Sequence, residues 1–532
     1  MLRREFLTTG AAAFAQPRAR KTNFLVILAD DMGFSDARCY GGDIDTPNLD
    51  RLAANGLRFT QGYSTARCGP SRGCLMTGHY AQQTASDVMT PGNIPAWTTF
   101  TPKHMKPYGY RAYHSGKWHI RFRPLATTGF DRSYTLLDQN RFFTPTGHLL
   151  NDERLPSPKL SDGFYGTIAI ADHAVKFLEE HQRSYANDPF YFYLAFTSPH
   201  FPLQALQEDI DLYKDRFAEG WDVARQQRHQ RMRKMGLVNC NLAPLDPGVW
   251  PPWNTKPEDQ PAGFGPGEVH NAVPWASLNR EQKEFQRTKM AIHAAMITRM
   301  DREIGRVLDQ LKRMNAYDDT LILFLSDNGA SAEIMIRADG HDRTAAPGSA
   351  KTHLCLGPGW SSAANAPFRL HKSWVHEGGI SSPWIAHWPR GIQDRGKLRQ
   401  NPCHFVDVVP TMIDLAGGNP SAALPKEAPP LAGKSLAPAF AKDNAVKRDF
   451  LYFNHNNNRA LRQGDWKIVA AGAEGPWELY NLATDRCEQK NLATAETGRL
   501  DSMAALWKAT DEGFVKTRQA APPLDAQQMK NN

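Results

Sequence analysis

No run of about 18 consecutive apolar residues interrupts this 532-residue sequence, and its mean hydropathy is negative, which argues against a membrane-spanning helix. No C-x-x-C pair joins any of the seven cysteines, at 39, 68, 74, 240, 355, 403 and 487, so zinc ribbons and thioredoxin-like sites are disfavoured. Their odd number leaves at least one without an intramolecular partner. No charge sign dominates: 63 Lys and Arg face 55 Asp and Glu, and half of the net +8 falls in residues 1–21. The remainder shows no basic stripe, so nucleic acid is not an expected partner. Internal repeats are absent too.

What is present begins at the N-terminus. Arg3-Arg4-Glu5-Phe6-Leu7 is a twin-arginine pair followed by an apolar step, and Ala13-Phe14-Ala15 fits an A-x-A-like cleavage site. Residues 1–21 are therefore expected to be a twin-arginine-type leader, and the mature protein to be periplasmic or secreted. Three continuous apolar runs follow, over 23–29, 189–196 and 320–325, with a fourth at 383–388. Runs without polar alternation suit strands covered on both faces. Helical periodicity over 164–181 and 281–314 lies between them. This alternation predicts an α/β domain over 22–443, with a large, mixed, mostly parallel sheet sandwiched by helices.

Residues 419–446 read as a Pro- and Ala-rich loop. Beyond them, strand-like pieces at 450–453, 466–469 and 477–480 precede a helical stretch near 495–514. Residues 444–532 are thus expected to form a smaller α+β subdomain with an antiparallel sheet and a loose tail. The long segment 242–276, with Trp250, Trp253, His270 and Trp275, reads either as a pocket-lining loop or as an insertion anchored by its tryptophans.

Chemistry gathers where the apolar runs stop. Asp30 and Asp31 follow the first, Ser198-Pro199-His200 the second, and Ser326, Asp327 and Asn328 the third. In open α/β sheets ligands bind beyond the carboxyl ends of the strands. Three carboxylates and an amide make a hard oxygen set suited to calcium or magnesium rather than zinc. Elsewhere, Pro70 suits the first turn of a helix starting near Cys68, where backbone dipoles would favour a thiolate.

Cys68-Gly69-Pro70-Ser71-Arg72 followed by Leu75-x-Thr77-Gly78 resembles the signature of the formylglycine-dependent type I sulfatases, of the alkaline-phosphatase-like superfamily. The resemblance extends in family order through Asp30-Asp31-Met32-Gly33, Thr46 to Gly56, Gly116-Lys117-Trp118-His119, Ser326 to Gly329, Pro367 to Gly379, Asp407 to Thr411 and Glu478 to Leu482. Gly220-Trp221-Asp222 and the Met300-Asp301 helix are most similar to bacterial arylsulfatases. Gly69, Cys74 and Ile120-Arg121 depart from the usual pattern, and Arg121 is a candidate for tuning the pocket rim.

The resemblance implies one calcium ion held by Asp30, Asp31, Asp327 and Asn328, adjoined by a formylglycine made from Cys68 by a formylglycine-generating enzyme. It implies Arg72, Lys117, His119, His200 and Lys372 around the sulfate of a small-molecule or saccharide ester. The hydrated aldehyde would offer two hydroxyls, one to attack sulfur and one from which sulfate is expelled, with His119 as base for the second. His200, helped by Lys372, would protonate the departing oxygen, while Arg72 orients position 68 and Lys117 binds substrate and hydrate. The alternatives are a phosphate or phosphonate ester hydrolase on the same scaffold, a non-catalytic sulfated-glycan binder, and a hydrolase using the Cys68 thiol directly.

Overall fold

The computed structural model describes residues 21–86, 93–120, 124–249, 251, 256, 258, 263–337, 340–422 and 424–524. The expected leader, Arg121, Trp250, Trp253 and the last eight residues lie outside this set, apart from Lys21. Ten strands form the main sheet: β1 (Asn23–Ala29), β2 (Leu57–Phe59), β3 (Arg111–Gly116), β4 (Arg132–Leu136), β5 (His148–Leu150), β6 (Glu153–Arg154), β7 (Phe190–Ala195), β8 (Thr320–Ser326), β9 (Trp384–His387) and β10 (Lys397–Arg399). Their spatial order is β10-β2-β9-β8-β1-β7-β3-β4-β5-β6. The central five, β8 to β4 in that order, run parallel, whereas β9 is antiparallel to both of its neighbours.

Every residue of β1 is buried, because alternate side chains feed two separate cores. Leu25 and Ile27 pack into the core shared with helices over Gly166–Ser184 and Arg280–Arg313. Phe24, Val26 and Leu28 enter the opposite core, with Leu75, Met76 and Met412. Helices on both faces are what an all-apolar central strand requires. Register then aligns the strand ends: Ala29 lies opposite Ser326, Leu28 opposite Ala195, and Ala195 opposite Gly116. The residues that follow each of these strands emerge at one edge.

Two of the central five, β3 and β4, lack a continuous apolar run. Arg111–Gly116 carries polar residues that look unsuited to a central strand, but partners satisfy them inside the protein. Ser115 Oγ donates to Ile170 O at 2.7 Å, and His114 Nδ1 lies 2.9 Å from Ser133 Oγ. Gly116 is required where β3 ends: at φ 122°, a Cβ there would come within 1.8 Å of Ala195 O.

The C-terminal sheet is antiparallel, in the order β11 (Leu451–His455), β12 (Asn458–Gln463), β13 (Trp466–Ala470) and β14 (Glu478–Asn481). The helix Thr497–Ala520 covers it, with Trp507 stacked on Tyr452 and its indole N–H donating to Phe453 O at 3.1 Å. A Cys240–Cys487 disulfide ties this region to the segment after helix Gly220–Lys234, and the other five cysteines are free and buried. Trp275 packs 4.8 Å from Trp221, so at this position the long loop is anchored to the core.

A buried ion cluster joins the two sheets. Lys467 reaches Glu377 at 3.0 Å and Glu488 at 2.8 Å, and Arg486 reaches Glu377 at 3.0 Å. Removing one member of such a set strands the others in a low dielectric. Lys467→Ala is expected to cost about 3–5 kcal/mol by urea unfolding. Burial opposes ionisation of Glu377, but Lys467, Arg486 and Arg462 outweigh it and bring its pKa down to about 2. Its stabilisation is fully present above the unfolded value near 4.5 and is lost as pH falls through about 2.

Candidate active site

Four chain segments meet at the aligned strand ends. Asp30 continues from β1, and Asp31 turns away in a left-handed conformation at φ 66°. Asp327 and Asn328 leave β8, and Gly329 follows where a Cβ would come within 1.9 Å of Gly378 O. The third segment is the helix Cys68–Thr77, all of whose residues are buried, with Cys68 first in it. The fourth carries Lys372, in the irregular chain before the short helix Glu377–Ile380.

Asp30, Cys68 and Asp327 each place a ligand atom within 4.8 Å of the other two, as do Asp30, Asp31 and His200. Arg72, wholly buried, grips Asp327 Oδ2 through Nε at 3.0 Å and Nη2 at 2.7 Å, and donates to Lys117 O at 2.8 Å. Lys117 Nζ donates to Asp30 Oδ2 at 2.5 Å, and Lys372 Nζ to Asp31 Oδ2 at 2.8 Å. Asn328 donates its amide N–H to Asp31 Oδ1 at 2.6 Å. Asp30 Oδ1 and Asn328 Oδ1 are buried with no hydrogen-bond partner. Two oxygen acceptors orphaned beside three carboxylates fit a hard cation, which would satisfy both.

Charges in this enclosure set one another's protonation. Burial raises the pKa of Asp30 against the pull of Lys117, and raises that of Asp327 against Arg72. Burial also opposes ionisation of Asp31, but the Lys372 contact outweighs it and holds that carboxyl below its usual range. His200 is driven well below the ordinary histidine value by burial, then by Lys372 and Lys117. Its Nδ1 lies 2.5 Å from Phe201 O, and a carbonyl only accepts, so Nδ1 carries the proton. Nε2 then faces Lys372 Nζ at 3.2 Å as an acceptor. The proton between the two groups therefore sits on Lys372, whose pKa, against the cost of burial, is raised by Asp31 and Glu333.

This arrangement predicts how a His200→Ala variant fails. Esters of poorly acidic alcohols should lose about 10²–10⁴ in kcat/KM, the usual range for general acid–base catalysis. Esters of acidic phenols, whose oxygen departs without a proton, should lose far less. A leaving-group series measures the difference, and an equal loss across the series contradicts it.

Lys117 and His119 do not share a strand face, because β3 ends at Gly116 and His119 takes a left-handed φ of 54°. Lys117 is buried while His119 is exposed at the mouth of the site. The protein wall, then Lys117 and Arg72, still hold the His119 pKa well below its usual value. Thus all ten expected side chains converge, nine buried and one at the entrance.

Three neighbours of the site, Glu333, Tyr193 and Arg67, belong to no motif singled out in the sequence. Glu333 pairs with Lys372 at 3.1 Å and Arg67 at 3.3 Å, and Tyr193 OH lies 3.4 Å from Arg72 Nη1. Glu333 sits in irregular chain and Tyr193 inside an apolar strand. Arg67 was in plain view, one residue ahead of Cys68.

A sulfatase family model matches residues 22–418, three-quarters of the chain. The chain belongs to the sulfatase family. It is a sulfuric ester hydrolase. This sulfatase is 31% identical over 550 residues to an uncharacterized sulfatase of Schizosaccharomyces pombe, covering 92% of this chain and 94% of the relative. An arylsulfatase of Klebsiella aerogenes is 30% identical over 470 residues, covering 81% and 94%. The crystal structure of Ps i-CgsB in complex with k-i-k-neocarrahexaose superposes with a TM-score of 0.66 at 23% identity, covering 96% of each chain, a likeness of fold. The sulfatase has no helix long and apolar enough to cross a membrane among its described residues.

Proposed function

We propose that this sulfatase hydrolyses aryl or carbohydrate sulfate monoesters with a formylglycine derived from Cys68 and one calcium ion, after export through the twin-arginine leader. The observation that carries the reading is the cluster of Cys68 Sγ with Asp30 and Asp327 oxygens within 4.8 Å, beside the orphaned Asp30 Oδ1 and Asn328 Oδ1. Asp30, Asp31, Asp327 and Asn328 would hold the calcium. The arylsulfatase relative supports an aryl ester as assay substrate, and the carrahexaose bound to Ps i-CgsB, a neighbour in fold, keeps saccharides in view.

Calcium would neutralise sulfate oxygens, and the hydrated aldehyde would supply a nucleophilic hydroxyl with a second hydroxyl on the same carbon. The chain's own groups do the rest. Lys117 and Lys372 bring positive charge to the sulfate, and each must loosen its carboxylate contact when the cation binds. Arg72 stays on Asp327 and holds that carboxylate in place. His119, kept neutral at the entrance, accepts a proton from the group at position 68. The Lys372–His200 pair delivers one to the leaving oxygen.

The test has two parts. Mass spectrometry of the peptide spanning Cys68 should find an aldehyde in place of the thiol in active enzyme. Chelation with EGTA should abolish 4-nitrophenyl sulfate hydrolysis, with calcium restoring it. Full activity in a chain bearing only the thiol, or indifference to chelation, refutes the reading.

A further inference from the structure

Beyond the scissile-sulfate site, Arg337 is only loosely neutralised among the described residues. Glu333 is shared by Lys372 at 3.1 Å and Arg67 at 3.3 Å, and Arg337 comes no nearer than 4.0 Å. Among the described residues Arg337 has no closer carboxylate. Its Nε is directed at Met335 Sδ at 3.0 Å, a weak acceptor, and its side chain is one-third exposed. The guanidinium lies 4.9 Å from the centroid of Phe201. That ring stacks on His200 at 4.3 Å and has Lys372 Nζ 5.4 Å from its centroid. Arg337 and Lys372 therefore lie against the same aromatic ring and meet the same carboxylate, Glu333.

A second unsatisfied group adjoins it. His353 is 3% exposed, lies 6.2 Å from Phe201, and its Nε2 has no hydrogen-bond partner. Its backbone N–H donates to His341 Nδ1 at 2.9 Å, which fixes the segment. Burial, then Arg337, His341 and Arg141, hold the His353 pKa down at about 4. Two of these, Arg337 and Arg141, are cations, whereas burial lowers the pKa of His341 and favours its neutral form. Of the two cations, Arg141 has its own carboxylate, Asp138, at 2.6 Å. An orphaned buried polar atom costs about 1–3 kcal/mol. An anion between Arg337 and His353 would relieve that cost and complete the guanidinium's fork. The scissile sulfate cannot be that anion, because its own cations, Arg72, Lys117 and Lys372, converge on Asp30, Asp31 and Asp327.

We propose that Arg337 and His353 form a second anion subsite beside Phe201, so that preferred substrates are sulfate esters whose alcohol carries another acidic group, a sulfate or a carboxylate. This rests on the sulfate-ester reading above and names its substrate class. The subsite lies next to the Lys372–His200 pair, where the leaving alcohol departs, so the second acid belongs to the alcohol. Arg337 is a specificity residue and takes no part in bond breaking.

Two measurements decide it. In the first, kcat/KM is compared for 4-nitrophenyl sulfate and its ring-carboxylated isomers, with wild type and Arg337→Ala. At least one carboxylated ester should be favoured by wild type about tenfold, the worth of a charge-assisted hydrogen bond at about 1.4 kcal/mol per decade. Arg337→Ala should bring that ratio close to one, and Arg337→Lys should keep part of it. Equal ratios in wild type and Arg337→Ala overturn the subsite. In the second, calorimetry compares benzenesulfonate and benzene-1,3-disulfonate. Tighter binding of the disulfonate by wild type, lost in Arg337→Ala, supports the subsite; equal affinities overturn it. Because binding needs no turnover, a chain that hydrolyses no sulfate ester yet binds the disulfonate through Arg337 would sink only the chemical reading.

Discussion

Cys68→Ala is expected to lower kcat for 4-nitrophenyl sulfate by about 10⁴-fold or more while moving the melting temperature by only a few degrees. The activity loss follows from position. Cys68 is the first residue of a buried helix, 2% exposed, with its sulfur in the same cluster as Asp30 and Asp327 oxygens. Nothing else nucleophilic in that cluster replaces it, since the carboxylates are held by Arg72, Lys117 and Lys372 and are repelled by the negative charge of the sulfate monoester. The stability effect is small because the exchange removes a side-chain group of one or two heavy atoms, worth about 1 kcal/mol. Cys68→Ser sharpens the test. A serine hydroxyl has no second hydroxyl on its carbon, so turnover should stop with sulfate left on the protein. Steady-state kinetics, a thermal melt and intact-protein mass spectrometry read all three outcomes, and a serine variant that turns over freely would remove the need for an aldehyde.

Asp327→Ala should be costly in both stability and catalysis. Asp327 Oδ2 takes two hydrogen bonds from Arg72, its Oδ1 accepts the Asp31 N–H at 3.2 Å, and both side chains are fully buried. Truncation leaves the guanidinium with Asp30 at 3.8 Å as its remaining carboxylate. Losing one partner of a buried pair costs about 3–5 kcal/mol, measurable by urea unfolding. Calcium affinity and activity should fall together, by more than 10³-fold for the latter. Asp327→Asn separates the effects. Its carbonyl still accepts from Arg72, so stability should largely return, while the missing charge keeps activity low. Recovery of both in the Asn variant would argue that Asp327 has only a structural role.

The parts of this protein that could be read from its sequence share one property: local pattern and tertiary environment agree. Asn23–Ala29 and Thr320–Ser326 are apolar throughout because both faces are covered, and the acidic residues after them stand at the strand ends. The helix at Cys68 was visible through Pro70. Arg111–Gly116 was not, because its Ser115 and His114 find their partners on distant segments. The same holds for Asn458–Gln463, where Arg462 donates to Tyr63 OH beside the interface ion cluster and Arg459 lies over Trp477. Glu333 was invisible for another reason. Its importance comes from Lys372, Arg67 and Arg337 around it, none adjacent in sequence, and no spacing rule encodes a carboxylate placed by irregular chain.

The interface between the two sheets bears on how relatives can be recombined. Asn458 donates its amide N–H to Ser373 O at 2.9 Å, one residue beyond Lys372, while Lys467 and Arg486 hold Glu377 five residues beyond it. Chimeras spliced within the Pro- and Ala-rich connector would inherit a foreign grip on that loop. A donor sheet lacking matching groups at those three places should yield a hybrid that is less stable and also mispositions its lysine, so graft design must treat residues 372–377 and the last sheet as one cassette.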